Sequence, residues 1–337
     1  MNKKSLKISV QNATVGFRLK KKDKKLLKNI TVSGEEEELI ALIGINGSGK
    51  STLLRTLIGL EVLLSGEIKI DGKNHNEYNK TESARKIAFV SSEIVNTRYL
   101  KVKDLVALGR FPHQKISNQY SEKDKRIVDT ALKTVGMHDF KERLITEISD
   151  GERQKVMTAR ALAQETDIIL LDEPAAFLDL ANKFSLYKIL SDTAKKLHKT
   201  VIFSTHDLNI ALKYCDKVWL IKNKTIVEGA PEDLFLSGIL QNIFPDGHVI
   251  FNALSFEFSV KTEPHTPVNI FFEESSEEIK LAVLNALKRK GFYRTEEKTK
   301  ISVRIKKNDY KIFTDDYTFF ADSINNLLKT LTEMNLK

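Results

Sequence analysis

The sequence predicts an α/β protein: a parallel sheet with crossover helices, followed by a smaller α+β module. Three observations carry this. Short apolar runs at residues 39–43, 168–171 and 201–204 are separated by longer helix-like stretches, the pattern of buried parallel strands joined by crossovers. The first run feeds a Gly-rich turn that opens directly into a helical stretch. Past residue 240 the character changes, and Pro264, His265, Thr266 and Pro267 read as linker.

At 337 residues the chain is long for one ordinary domain, so a main domain with an appendage is expected. Hydrophobic residues at 41% against 29% charged suffice for a sizeable core. The single cysteine, Cys215, excludes an intrachain disulfide framework and reads as a small buried hydrophobe in a reducing compartment. No run approaches the ~18 apolar residues of a membrane span. The opening Met1-Asn2-Lys3-Lys4-Ser5-Leu6-Lys7-Ile8-Ser9-Val10 alternates like a strand and lacks the apolar core of a signal peptide. A soluble, cytoplasmic chain is therefore expected, with any membrane role supplied by a partner. Net charge is +9. Its lysine clusters (Lys20, Lys21, Lys22, Lys24 and Lys25, and again between Lys288 and Lys311) read as a solvated hairpin tip and surface. No aromatic interleaving or recognition-helix pattern accompanies them, so nucleic acid is not an expected partner.

Residues 6–14 and 26–32 read as strands joined by the lysine-rich turn. Glu35, Glu36, Glu37 and Glu38 then decorate a loop, and 39–43 is a buried strand. Residues 51–60 follow as helix, and 65–71 as a short strand closed by Asp71-Gly72. The stretch 92–150 is helical. Within it Ile127, Val128, Ala131, Leu132 and Val135 form one stripe, and Ser121 with Asp124 makes a capping box. Helix 153–163, strand 168–171, helix 182–197 and strand 201–204 complete the main domain, assigned to 1–240. A linker is placed at 241–266 and the α+β module at 267–337. In that module 269–272, 301–306 and 310–314 read as strands, and 277–290 and 319–336 as helices.

The segment Gly44-Ile45-Asn46-Gly47-Ser48-Gly49-Lys50-Ser51 fits G-x-x-x-x-G-K-[ST] in full, and lies between a strand and a helix as that motif requires. Its glycines let backbone N–H groups curl around phosphates, and the helix N-terminus adds a positive dipole end. Gly44, Asn46, Gly47, Ser48, Gly49, Lys50, Ser51 and Thr52 are thus the nucleotide-binding candidates. Lys50 is placed to reach the β- and γ-phosphates, and the Ser51 hydroxyl to ligate Mg²⁺. Downstream, Ile168-Ile169-Leu170-Leu171-Asp172-Glu173-Pro174 is an apolar strand ending in two acids. Asp172 fits the Mg²⁺ carboxylate, and Glu173 a position from which to polarise a water. ATP and Mg²⁺ are the expected ligands.

Two further segments point to a family. Ile148-Ser149-Asp150-Gly151-Glu152-Arg153-Gln154 precedes a helix shortly before the acids and resembles the LSGGQ signature of ABC ATPases. Ser204-Thr205-His206-Asp207 follows the next strand and resembles their switch histidine. The resemblance covers residues 6–237. It implies an α/β P-loop NTPase core of the ABC type with a helical subdomain, beside the small C-terminal α+β domain. It also implies a homodimer in which Ser149, Gly151 and Glu152 meet the nucleotide held by the opposite copy, with Asp179 of Ala176-Phe177-Leu178-Asp179 at the seam. By the same resemblance Phe17 stacks on adenine, His206 holds the γ-phosphate, and Lys50, Glu173 and His206 are the catalytic set. Asp207 orients the His206 loop, and Asp216 reads as a solvated turn residue.

Two positions depart from the family pattern. Ser92 stands where a glutamine would sense Mg²⁺, with Glu93 the nearest long acceptor. Asp150 replaces a signature glycine, and Asp150 or Ser149 is expected to cap the following helix. The longer turn after Gly34 reads as a surface insertion. Residues 102–113 and 205–212 are similar to importers of iron chelates, haem and cobalamin. This implies an ATP-hydrolysing motor on the cytoplasmic face of the plasma (inner) membrane. It would contact an integral membrane permease through 102–113, with an external substrate-binding protein delivering cargo. Two alternatives are a non-transport ABC ATPase acting on ribosome or DNA, and an ATP-binding regulatory scaffold. The first would carry two cassettes or a long coiled coil, and the second would not need both Glu173 and His206.

Overall fold

The computed structural model describes the chain except residues 1–3, 21–22, 94–98, 115–119, 177, 244–247, 254, 262–263, 298, 308 and 336–337. Lys21, Lys22, Phe177 and parts of the expected linker therefore lie outside the described residues. The chain divides into two compact units: Met1–Pro245 with Phe251–Phe258, and Asp246–Ile250 with Ser259–Lys337.

In the first unit the elements run β1 (Leu6–Phe17), β2 (Lys24–Glu35), β3 (Leu39–Ile43), α1 (Lys50–Leu57), β4 (Leu63–Ile70), β5 (Lys73–Asn74), α2 (Lys80–Lys86) and β6 (Ile87–Val90). There follow α3 (Val102–Ala107), α4 (Glu122–Thr134), α5 (Asp150–Ala163), β7 (Ile168–Leu171), α6 (Leu180–Lys196), β8 (Thr200–Thr205), α7 (Leu208–Tyr214), β9 (Lys217–Lys222), β10 (Thr225–Gly229) and α8 (Pro231–Leu236). The main sheet has the order β10-β9-β3-β8-β7-β6. It is parallel from β9 to β6, with β10 antiparallel at the edge. A second, antiparallel sheet has the order β2-β1-β4-β5.

β3 shows how the sequence specifies this layering. All five of its residues are buried, because side chains alternate between two cores. Leu39, Ala41 and Ile43 join the core beneath the helices α3 to α7. Ile40 and Leu42 join Leu53, Leu54 and Leu57 of α1 in the core shared with the antiparallel sheet. In the expected helical stretch, Ser121 and Asp124 form the reciprocal capping box of α4.

Two sequence readings change. The glutamate run does not merely decorate a loop. Glu35 ends β2, and the mostly buried Glu38 carboxylate accepts from the Glu35 N–H at 2.7 Å and pairs with Lys217 at 3.0 Å. It ties the turn to β9. Nor is Asp216 a solvated turn residue: it accepts from the Leu39 N–H at 2.8 Å and pairs with Lys195, anchoring the start of β3.

The stretch read as linker carries β11 (Val249–Asn252) and β12 (Glu257–Val260). Phe251, Phe256 and Phe258 pack against the core of the first unit. The second unit continues with β13 (Thr266–Glu273), α9 (Glu277–Arg289), β14 (Phe292–Thr295), β15 (Ser302–Lys306), β16 (Asp309–Phe313), β17 (Thr318–Ala321) and α10 (Ile324–Asn335), with sheet order β14-β13-β15-β16-β17. The helix expected over 319–336 starts five residues later. The aromatic pair Phe319-Phe320 favours a strand, and Ser323 accepts from the Asn326 N–H to begin the helix. β14 was not read from the sequence.

Arg110, 3% exposed, ties the subdomain together. It donates to Asp124 of α4 (2.8 Å), the Ala163 carbonyl at the end of α5 (2.7 Å) and Glu165 (2.8 Å). Arg110→Ala is expected to cost the first unit about 2–4 kcal/mol, read as a lower urea midpoint. The Ser121 hydroxyl first, and Arg110 second, hold the Asp124 carboxyl below its ordinary pKa. Its contribution is therefore complete above the usual carboxylate range and is lost as pH falls through the lowered value. Arg110→Ala should also flatten the acid limb of the stability profile.

Candidate functional site

The site forms where β3, β7 and β8 end. After β3 the chain turns through Gly47 (φ 76°) and Gly49 (φ 106°), left-handed values that strain any side-chain-bearing residue. Gly49 precedes the first turn of α1, and no side chain caps that helix. Its leading N–H groups are thus left to bind an anion. Lys50 is 5% exposed. Its ammonium donates to the Gly44 carbonyl at 2.8 Å and lies 3.4 Å from Glu173 Oε1.

Asp172 directly follows the buried strand β7 and is 1% exposed. Its Oδ1 accepts from Ser51 of α1 (3.0 Å) and from Ser204 of β8 (2.7 Å). The Ser204 hydroxyl in turn accepts from the Glu173 N–H at 2.8 Å. Asp172 Oδ2 and the Ser48 hydroxyl are buried without a hydrogen-bond partner. The orphaned Asp172 oxygen with the Ser51 hydroxyl bonded to the same carboxylate is a hard-oxygen donor set, suited to a divalent magnesium-like cation. Glu173 itself is held at φ 45°. Its other oxygen faces Nδ1 of the half-exposed His206 at 3.5 Å. One carboxylate thus stands between the lysine and the histidine. Asp207 follows as the cap of α7, accepting from the Ile210 N–H at 3.2 Å.

Other candidates fall in distinct places. Ser149 caps α5 in a reciprocal box with Glu152, so of the two expected caps the serine serves. Asp150 pairs instead with Arg153 at 3.1 Å. Gly151 is buried: a Cβ there would lie 2.9 Å from the Asn182 side chain. Asn182 is bound by Asp179, the cap of α6, whose Oδ1 accepts from the Asn182 N–H at 2.8 Å. That bond, first among several, lowers the Asp179 pKa. Ser92 is exposed just past β6, and Glu93 is turned to Arg55 of α1 at 3.0 Å. A cavity of about 240 Å³ has Ser92, Glu93, Asp150, Arg153 and Glu173 in its wall. Phe17 ends β1 partly exposed. Asn46 and Thr52 lie in the phosphate turn and on α1.

Sequence reasoning assigned no role to Ser204 or Asn182. Ser204 could have been found from its place at the end of a strand neighbouring Asp172; Asn182 carries no comparable signal.

An uncharacterized ABC transporter ATP-binding protein of Methanocaldococcus jannaschii is 32% identical over 265 residues, covering 78% of this chain and 90% of that protein. The ABC transporter family model matches residues 27–176. The chain belongs to the ABC transporter ATP-binding family.

This ABC ATPase is also 34% identical to the ferric enterobactin transport ATP-binding protein of Escherichia coli, over 64% of this chain and 80% of the relative. The achromobactin transport ATP-binding protein of Dickeya dadantii is 34% identical, over 65% and 82%. Among solved structures, the inward-facing form of a putative metal-chelate type ABC transporter superposes with a TM-score of 0.62 at 28% identity, covering 71% of this chain and 89% of that one. The dimeric structure of a bacterial ABC transporter cassette gives 0.58 at 27%, covering 66% and 98%. The ABC ATPase fold, ATP binding and ATP hydrolysis follow.

Gly151→Ala should force Asn182 from its bonds with Asp179. A loss of about 1–3 kcal/mol is expected, seen in the melting temperature of the first unit.

Proposed function

We propose that this ABC ATPase is the motor subunit of an importer for iron–siderophore chelates. In this reading two copies work as a homodimer under an integral membrane permease, at the cytoplasmic face of the membrane, and an external binding protein delivers cargo. The relatives named for achromobactin and ferric enterobactin transport support the cargo class. The observation that carries the motor is the Asp172 carboxylate, held by Ser51 and Ser204 with one oxygen to spare, next to the Glu173 that pairs with Lys50.

Lys50 exchanges the Gly44 carbonyl for the β- and γ-phosphates of ATP. Ser51 and Asp172 are the residues that would hold Mg²⁺, with Ser92 toward its outer shell; the ion, when bound, would supply positive charge against that developing on the phosphates. Glu173 polarises the attacking water, and His206 holds the γ-phosphate and the water's surroundings. Ser149, Gly151 and Glu152 serve the nucleotide of the opposite copy, Asp179 lies at the seam, and Phe17 stacks on adenine. Rate then comes from positioning and charge stabilisation.

A groove of about 1130 Å³ supports the permease contact. Its wall includes the exposed Leu60, Val62 and Leu108, with Tyr78, Phe89 and Gly109. It therefore takes in Leu108 and Gly109 of the 102–113 stretch assigned to that contact. No described helix is long and apolar enough to cross a membrane, so the subunit reaches the bilayer only through its partner in this reading.

ATPase rate should rise more steeply than linearly with protein concentration, because each site needs Ser149 of the other copy. Glu173→Gln should lose roughly 100-fold or more in turnover yet form an ATP-dependent dimer by size-exclusion chromatography. A strictly linear rate would remove the shared site. Replacing both Leu60 and Leu108 by Glu should abolish co-purification with the permease while the melting temperature holds.

A further inference from the structure

His206 is the most exposed of the catalytic candidates, its side chain 54% exposed against 25% for Glu173 and 5% for Lys50. It lies between the end of the buried strand β8 and the Asp207 cap of α7, so a shift of α7 moves it. That helix has only seven residues, too few to persist on local bonding alone. Its lower end is capped by Asp207, whose own N–H donates to the Thr205 hydroxyl at 3.0 Å. A second fastening comes from a segment distant in sequence. The Asn209 side-chain oxygen accepts from the Phe258 N–H at 2.7 Å, and its amide donates to the Phe258 carbonyl at 3.3 Å. One amide thus occupies both backbone groups of a single residue, as a neighbouring strand would. One turn further along, Lys213 pairs with the adjacent Glu257.

The segment that grips α7 is itself anchored. Phe251 and Phe256 pack with Phe235 of α8 and with each other, and Phe258 packs with Phe251, with ring centroids 5.1–5.8 Å apart in edge-on or tilted contacts. Residues Phe251–Phe258 belong to the first unit, while the chain on either side, Asp246–Ile250 and Ser259–Lys337, belongs to the second.

We infer that Asn209 is a positioning residue for ATP hydrolysis: through it, the 251–258 segment sets where His206 stands. The inference rests on the reading of His206 given above. Asn209 acts on the histidine through α7 and its bonds to Phe258. Its loss lets α7 shift, and a misplacement of about 1 Å at the histidine is enough to cost one to two orders of magnitude in turnover.

The test uses the full chain and steady-state ATP hydrolysis for Asn209→Ala, His206→Ala and the double variant. Asn209→Ala is expected to lower kcat roughly ten-fold, with KM for ATP within about two-fold, and Glu173→Gln/Asn209→Ala should still dimerise with ATP. The double variant should be no slower than His206→Ala alone, because both changes remove one function. A merely structural role would lower KM-dependent steps and melting temperature together, and would multiply with His206→Ala; that result overturns the inference. Unchanged kcat in Asn209→Ala also overturns it. If His206→Ala itself hydrolyses ATP normally, the histidine reading fails and the inference falls with it, a result distinct from failure at Asn209. Should Asn209→Ala not fold, Phe251→Ala/Phe256→Ala loosens the segment without touching α7 and must give the same kcat loss.

Discussion

The Asp172 carboxylate is the joint on which this molecule is built. It is buried at the end of β7, and a buried charge is tolerated only where hydrogen bonds surround it. Here they come from α1 through Ser51 and from β8 through Ser204. Ser204 also receives the Glu173 N–H, so the same hydroxyl that steadies one acid aims the next. Three elements far apart in sequence are registered to one atom. Parallel order makes this possible, because β3, β7 and β8 all end on the same side of the sheet.

The parts of the fold legible in the sequence were those with a strong local rule. The phosphate turn needs left-handed glycines, the buried strands are unbroken apolar runs, and the Ser121–Asp124 box is a local pairing. What escaped was set by contacts across the chain. Asp216 looks like a polar turn residue until the Leu39 N–H and Lys195 meet it. Glu38 looks like one charge of four until Lys217 closes on it. The strand at Phe319 and Phe320 was lost for a different reason: its apolar residues run into those of α10, and the break at Asp322-Ser323 is short. At the site, Lys50, Ser51, Asp172, Glu173 and His206 come together as the motifs implied, whereas Asn182 and Asn209 act through partners that no spacing rule announces.

The departures from the family pattern have physical answers. An aspartate in place of the signature glycine puts negative charge at the first position of α5, where the helix dipole favours it. Arg153, one turn on, neutralises that charge in place. The next residue has no such latitude, since Gly151 abuts Asn182. The loop after β6 lacks its glutamine, and Glu93 does not stand in for it as a free acceptor, because Arg55 holds it. That ion pair links the loop to the phosphate-binding helix α1, a different connection from the one a glutamine toward the metal would make.

The site therefore contains groups held with unequal firmness. Lys50 and Asp172 are fixed by burial, and Glu173 by the backbone bond to Ser204. His206 depends on a seven-residue helix on the surface of the core. Such a helix takes its position from whatever packs on it, and here a share of that packing comes from Phe258 and Glu257, beyond the last strand of the main sheet. In the reading proposed above, where His206 engages the γ-phosphate, this arrangement lets its resting place be set by replaceable contacts, while burial and the Ser204 bonds hold Lys50, Asp172 and Glu173.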